Sequence, residues 1–210
     1  MFAAAPVLFS LYYFSIYPED LLCLKDGVYS SCSRDYICSS PTPIQYVIDY
    51  NSGGENQHNW IQQYDLLCAS KFQISAIGSS FFFGNFAGSF VLPRLGDIYG
   101  RKPLFQFGLV LQTITYLGLL KASRIEVLYC LLVLGGISKT GTSDVGYIYA
   151  VEIMPKRHRN LSGLLVFVVF AVIKVNVCLY FWLSSSKNWK IPAMAAITMS
   201  VASTITSAFL

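Results

Sequence analysis

Leu95-Gly96-Asp97-Ile98-Tyr99-Gly100-Arg101-Lys102-Pro103 is a short polar break between two apolar runs, residues 72–92 and 103–120. A bilayer offers no water to an open backbone, so apolar runs of this length are expected to be helices. The break is too short to be a domain. It reads as a tight turn at a membrane surface, with Gly96 and Gly100 for the bend and Pro103 to open the next helix. Arg101 and Lys102 put that turn on the cytoplasmic side.

Working outward, the same pattern repeats. The chain is 54% hydrophobic and only 12% charged, a balance that fits a membrane protein and not a soluble core. Six spans are expected, at residues 1–17, 72–92, 103–120, 125–151, 161–183 and 191–210. The first reaches only about 25 Å as a helix, so it is either a short span or a span whose start is missing. A second basic turn, Lys156-Arg157-His158-Arg159, falls on the same side as the first. No long basic run is present, and the basic residues sit at span ends, which argues against a nucleic-acid partner.

Residues 18–71 are too long for a plain connection between spans. They are polar and carry Cys23, Cys32, Cys38 and Cys68. An even number of cysteines in one external segment suits two disulfides, with the connectivity open. The rival is a zinc site with His58, but no close paired C-x-x-C spacing supports it. The segment is therefore expected to be a small disulfide-stapled extracellular loop domain, with spans two to six in residues 72–210. Cys130 and Cys178 fall inside apolar runs and read as packing residues.

Inside the spans, Gly84 and Gly88 form a G-x-x-x-G pair that lets another helix approach closely. Asn85 between them needs a hydrogen-bond partner. Lys139, Asp144 and Lys174 are costly within a bilayer, about 2.5–3.5 kcal/mol each on insertion scales. Helical spacing puts Gly135, Gly136, Lys139, Thr142, Ser143 and Gly146 on one interior face. Five residues apart on an ideal helix, Lys139 and Asp144 point roughly 140° from each other, which makes them poor partners. Asp144 is expected to meet Lys174 or a group on another span. A buried Lys–Asp pair that only fixes helix packing is the plainer alternative.

The break resembles the loop motif between spans two and three of major facilitator superfamily transporters, D-R-x-G-R-R/K. Pro93 stands at the usual leading glycine and Ile98 at the usual basic residue. Glu152-Ile153-Met154-Pro155-Lys156-Arg157-His158-Arg159 resembles the Glu-six-Arg motif after span four. Trp60, Asp65, Leu66, Cys68 and Lys71 are similar to the W-D-L-x-C-x-S-K stretch of the organic cation and organic anion transporter branch, which also has a large cysteine-bearing loop after span one.

The resemblance implies an all-α membrane protein, the N-terminal six-helix half of a major facilitator fold, moving small organic ions by alternating access. It implies a cytoplasmic gating motif of Asp97, Gly100, Arg101, Lys102, Glu152 and Arg159. It also implies a substrate path lined by spans one, two, four and five, hence by Asn85, Lys139, Asp144 and Lys174. Two midplane lysines against one aspartate favour an anion or zwitterion by field sign. The arginine often found early in span four is absent, with Leu131 and Leu132 near its place, which sets proton symport in doubt. The expected partners are the lipid bilayer, a small organic ion and a missing C-terminal six-helix half. The disulfide reading favours the plasma membrane, or another membrane whose far side is oxidising. A different class, a degenerate half-transporter acting as an accessory membrane subunit, stays open. No H-E-x-x-H, G-x-S-x-G or Walker pattern occurs, so neither an enzyme nor a metal or cofactor is expected.

Overall fold

The computed structural model describes residues 21–25, 28–39, 44–48, 60–183 and 188–209. The expected first span, residues 1–17, lies outside them. The described residues form a small lobe and a bundle of long helices.

In the lobe, Leu21–Lys25 (β1) alternates buried Leu21 and Cys23 with half-buried Leu22 and Leu24, the period-2 pattern of a strand with one covered face. It pairs antiparallel with Val28–Cys32 (β2) on one side and Tyr46–Ile48 (β3) on the other, giving the order β2-β1-β3. A short helix, Arg34–Ser39 (α1), contributes Ile37 to a core of Leu21, Cys23, Ile37 and Leu67. So small a core cannot hold a fold alone, and two disulfides supplement it. Cys23 bonds to Cys32 across β1 and β2, and Cys38 bonds to Cys68, tying α1 to the segment that enters the bundle. All four lobe cysteines are thereby consumed, which leaves no thiolate for the rival zinc reading.

Arg34 fastens the same joint, its Nε donating to the Leu67 carbonyl at 2.6 Å and its Nη2 to the Ala69 carbonyl at 3.1 Å. The short helix Trp60–Gln63 (α2) then lies across the ends of two long helices. Gln63 Nε2 donates to the carbonyls of Leu119 at 3.3 Å and Ala122 at 3.0 Å, and the Tyr64 hydroxyl donates to Leu119 at 3.2 Å. These are carbonyls that a helix C-terminus leaves without intrahelical donors. Trp60 packs edge-on against Trp189, ring centroids 5.8 Å apart.

The long helices are Lys71–Tyr99 (α3), Arg101–Lys121 (α4), Ile125–Lys139 (α5) running through a π turn Thr140–Val145 into Gly146–Ile153 (α6), Arg159–Leu183 (α7) and Lys190–Phe209 (α8). A 3₁₀ turn, Lys156–His158, leads into α7. Together they make five candidate membrane spans among the described residues.

Ser70 opens α3 with a capping box: its hydroxyl accepts from the Gln73 amide at 3.3 Å, and its own amide donates to Gln73 Oε1 at 2.9 Å. The helix does not stop at Leu92. It runs through Pro93 to Tyr99, and the break is the single residue Gly100, with φ +91°, a backbone that favours glycine. Gly96 is helical, and Pro103 is the third residue of α4, not the first. First-turn amides have no intrahelical acceptor, so proline fits there too. Helix α3 therefore continues through the charged residues Arg94 and Asp97.

The G-x-x-x-G pair works as expected. A Cβ on Gly84 would land on the Val133 carbonyl oxygen, one on Gly136 on the Phe81 carbonyl oxygen, and one on Gly88 would lie 3.0 Å from Thr140 Oγ1. Gly108 of α4 meets Gly141 in the same way: a Cβ on Gly108 would lie 2.9 Å from the Gly141 carbonyl carbon. Three helices therefore touch backbone to backbone along one seam of small residues. Against α4, α8 adds a Thr113–Ser200 hydroxyl bond of 2.8 Å and Gln106 Nε2 donating to the Ser207 carbonyl at 3.1 Å. Cys130 and Cys178, expected to pack inside the bundle, are both exposed among the described residues.

Candidate functional site

The site is built on a defect in the helix α5–α6. Ser138, Thr140, Gly141, Thr142, Ser143 and Asp144 are weak helix formers in near succession. Their hydroxyls reach back to helix carbonyls: Thr142 Oγ1 donates to Ser138 at 3.0 Å and to Lys139 at 3.3 Å, and Ser138 Oγ to Gly135 at 2.8 Å. Such back-bonds supply the carbonyls that drop out of the α ladder. The helix widens into the π turn, where residues five apart come into line.

That widening overturns the ideal-helix expectation for Lys139 and Asp144. Lys139 Nζ stands 3.1 Å from Asp144 Oδ1 and 3.4 Å from Oδ2, a direct ion pair. Lys174 does not supply the partner that Asp144 takes; its Nζ lies over the Phe170 ring, 5.1 Å from the centroid. Asn85 has the hydrogen bond it needed, its Oδ1 accepting from Thr140 Oγ1 at 3.0 Å, so it seats the π turn on α3.

Beside the pair opens a cleft of about 450 Å³ between α5–α6 and α7. Lys139, Ser143 and Asp144 are its polar part, and Tyr147, Phe167 and Phe170 its aromatic walls. Ser143 Oγ is buried and has no hydrogen-bond partner among the described residues. A few convergent polar groups in an apolar cleft are what a small-molecule site requires. The interior stripe reasoned from helical spacing is correct for Gly135, Gly136, Thr142, Ser143 and Gly146, all buried, with Lys139 half-buried at its edge. Tyr147, Phe167 and Phe170 were missed. In sequence they are three aromatics among many apolar residues, and only the helix pairing singles them out.

A second cluster stands at the bundle end away from the lobe. Arg101 bridges two acids: its Nη2 is 3.1 Å from Asp97 Oδ1 and its Nε 3.1 Å from Glu152 Oε2. Gly100, Lys102, Pro103 and Tyr149 line the open pocket around it. Arg159 begins α7 on the exposed surface, and the ion pair that Glu152 makes is with Arg101. The two motif turns are thus joined through Arg101, a link that neither motif shows by itself.

In the lobe, the Tyr46 hydroxyl donates to Asp65 Oδ1 at 3.1 Å. Burial, then the Asp65 charge and that hydrogen bond, push Tyr46 up to about 12. Asp65 itself takes a left-handed backbone, φ +51°, which Asp tolerates better than most residues.

The sugar (and other) transporter family model matches residues 36–210. An organic cation transporter-like protein of Drosophila melanogaster is 28% identical over 164 residues, covering 77% of this chain and 27% of that protein. The inner membrane metabolite transport protein YgcS of Escherichia coli (strain K12) is 36% identical over 90 residues, 43% of this chain and 20% of its own length. The organic cation/carnitine transporter 5 of Arabidopsis thaliana is 24% identical over 170 residues, 80% of this chain and 32% of its own. The chain therefore spans less than a third of the length of these curated relatives. The match over residues 36–210 takes in the lobe from α1 onward, both charged turns and all five described spans, and the chain is a multi-pass membrane protein that belongs to the sugar (and other) transporter family of the major facilitator superfamily, on its organic cation transporter branch.

Proposed function

We propose that this chain forms the N-terminal six-helix half of a plasma-membrane transporter that moves small organic ions by alternating access. In this reading the disulfide lobe faces outside and Gly100 and the Lys156–His158 turn face the cytoplasm. The substrate sits against the Lys139–Asp144 pair, between this half and a second six-helix half. Asn85 and Thr140 hold the pair's helix in place. Lys174, next to Phe170, adds a positive charge near the cleft. Asp97, Gly100, Arg101, Lys102, Glu152 and Arg159 form the cytoplasmic gate.

The observation that carries the reading is an ion pair beside an aromatic cleft in the middle of a membrane helix. A structural pair is best sealed inside the bundle; this one borders a space large enough for a ligand. Because the pair is neutral, a ligand with one charge leaves a stranded partner, whereas a ligand with both charges does not; and two lysines against one aspartate within the spans give a field that favours an anion over a cation. Zwitterions and anions are therefore the favoured class. The Arabidopsis relative's name, organic cation/carnitine transporter 5, gives organic cations as well as carnitine, so cations belong in the test panel.

The test is uptake by the full-length protein from a panel of labelled organic zwitterions, anions and cations, with and without a proton gradient. Saturable uptake of zwitterions or anions that Lys139→Met abolishes supports the reading. Uptake of cations alone overturns the substrate class, and no uptake of any member overturns transport by this site.

A further inference from the structure

Both charge clusters lie on one continuous rod. Lys139 immediately precedes the π turn and Asp144 lies within it, and farther along the same rod Glu152 of α6 holds Arg101 of α4. We propose that the π turn is a register switch linking the two clusters. While the Lys139–Asp144 pair is closed, the turn keeps its wide form and Glu152 faces Arg101. When the pair opens, the turn tightens to α and carries Glu152 away.

The first argument is that the pair favours one register over the other. A five-residue spacing closes at 3.1 Å across the π turn. On an α-helix the same residues point about 140° apart and the pair is broken. A switch needs such differential stabilisation of its two states, and here the covalent spacing supplies it. The second argument is that the hydrogen bond holding the turn to α3 is at its first residue, Thr140 to Asn85 at 3.0 Å, ahead of the part that would rotate. The turn's weak helix formers hold their own carbonyls through Thr140 and Thr142 hydroxyls, so the ladder can be re-made without stranding a polar group. Gly108 and Gly88 face it without a side chain, whereas the Phe105 ring, packed against Gly146, has to turn aside for the rotation.

The third argument is geometric. Taking the extra residue out of a π turn rotates everything beyond it by about 100° and shifts it about 1.5 Å. Glu152 leaves Arg101, and Tyr149 leaves the Phe105 ring with which it stacks at 6.2 Å. Arg101 is not stranded, because Asp97 remains 3.1 Å away. Opening the pair in the cleft thus rearranges the far charge cluster through one helix, with no other element required to relay it.

This inference goes beyond transport, and its test uses no substrate. In the full-length protein in lipid nanodiscs, with Cys130 and Cys178 replaced by Ser, spin labels on Ile98→Cys and Ile153→Cys span the ends of α3 and α6. Labels on Phe83→Cys and Leu134→Cys span α3 and α5 ahead of the turn. All four positions are exposed. Asp144→Asn and Lys139→Met are each expected to shift the first distance by roughly 5 Å or more, about a helix radius with side chains, and to leave the second unchanged. The exchange Lys139→Asp with Asp144→Lys is expected to restore the wild-type distance. Asp144→Asn, nearly isosteric, decides the matter if Lys139→Met does not fold. An unchanged first distance, both distances moving together, or an exchange that fails to restore the native value would each overturn the switch. Failed uptake with the distance shift intact would sink the transport reading and leave the switch standing.

Discussion

Two ion pairs of equal length behave differently because of where they stand. Lys139–Asp144 and Arg101–Glu152 both close at 3.1 Å. Lys139 is only 16% exposed, with Asp144 at 45%, whereas Arg101 is 26% exposed and its acids Glu152 and Asp97 are 52% and 67% exposed. The first pair sits among apolar and small residues, where a lone charge has little water to turn to. The second sits at a helix end, and Arg101 has two acids to choose from. Distance alone therefore says little about what breaking each pair costs. The mid-helix pair is dear to separate and suited to discriminating a ligand. The end pair is cheap to exchange and suited to a gate.

The largest effect expected from this contrast is at Lys139. Lys139→Met leaves Asp144 without its counter-charge, and the full-length protein should lose about 2–3 kcal/mol of stability, less than a fully buried pair would because Asp144 is 45% exposed, read as a lowered thermal midpoint in detergent. Adding Asp144→Leu should recover most of that loss without recovering uptake, since an apolar pair of similar volume is often no less stable. If the single variant is as stable as wild type, the contrast is wrong.

Gly136→Val comes next. The new side chain meets the Phe81 carbonyl, and overpacking of this kind costs roughly 1–3 kcal/mol. It should separate α3 from α5 and loosen the Asn85–Thr140 bond that seats the π turn, lowering the thermal midpoint. An exposed position on the same helix, Leu134→Val, should not.

Arg101→Gln should change stability by no more than about 1 kcal/mol, as surface pairs do, while slowing uptake at least tenfold. A large stability loss there would erase the distinction between the two clusters. The slower uptake tests the gating role separately.

The smallest effect is in the lobe. Tyr46 titrates near 12 in the folded chain, against an ordinary value of 10.0, so the folded state holds its proton more tightly. Its contribution is present in full below pH 10.0 and is lost as pH rises through about 12. Tyr64, raised by burial to the same range, adds to that loss. Tyr46→Phe should shrink, not abolish, the alkaline fall in lobe stability, measured by hydrogen exchange or proteolysis between those limits.

Much of this was legible in the residues themselves. The five described spans follow from apolar runs, since a bilayer leaves the backbone no alternative to a helix. The close approach of α3 and α5 was announced by Gly84 and Gly88, and the stapled lobe by Cys23, Cys32, Cys38 and Cys68. What failed was the equation of polar residues with a turn. Gly96, Asp97 and Tyr99 are polar or small, yet their backbone stays helical, and the departure comes at Gly100. The pairing of Lys139 with Asp144 failed for a different reason. Helical spacing assumes one register throughout, and a π turn inserts a residue that no periodicity rule anticipates. The run Ser138-Lys139-Thr140-Gly141-Thr142-Ser143-Asp144 held the signal, a cluster of hydroxyls and a glycine within an otherwise apolar span. The joining of Asp97 and Glu152 through Arg101 needed the packing of α4 against α6, which sequence distance conceals.

The seating of α2 on the end of α4 has a practical side. Gln63 and Tyr64 grip the last carbonyls of that helix, and the Cys38–Cys68 bond ties α1 to the chain just beyond them. The lobe is accordingly a handle bolted to the helix, not a bead on a string. A nanobody raised against it would take hold of the bundle itself, and its grip would strengthen or weaken as α4 shifted.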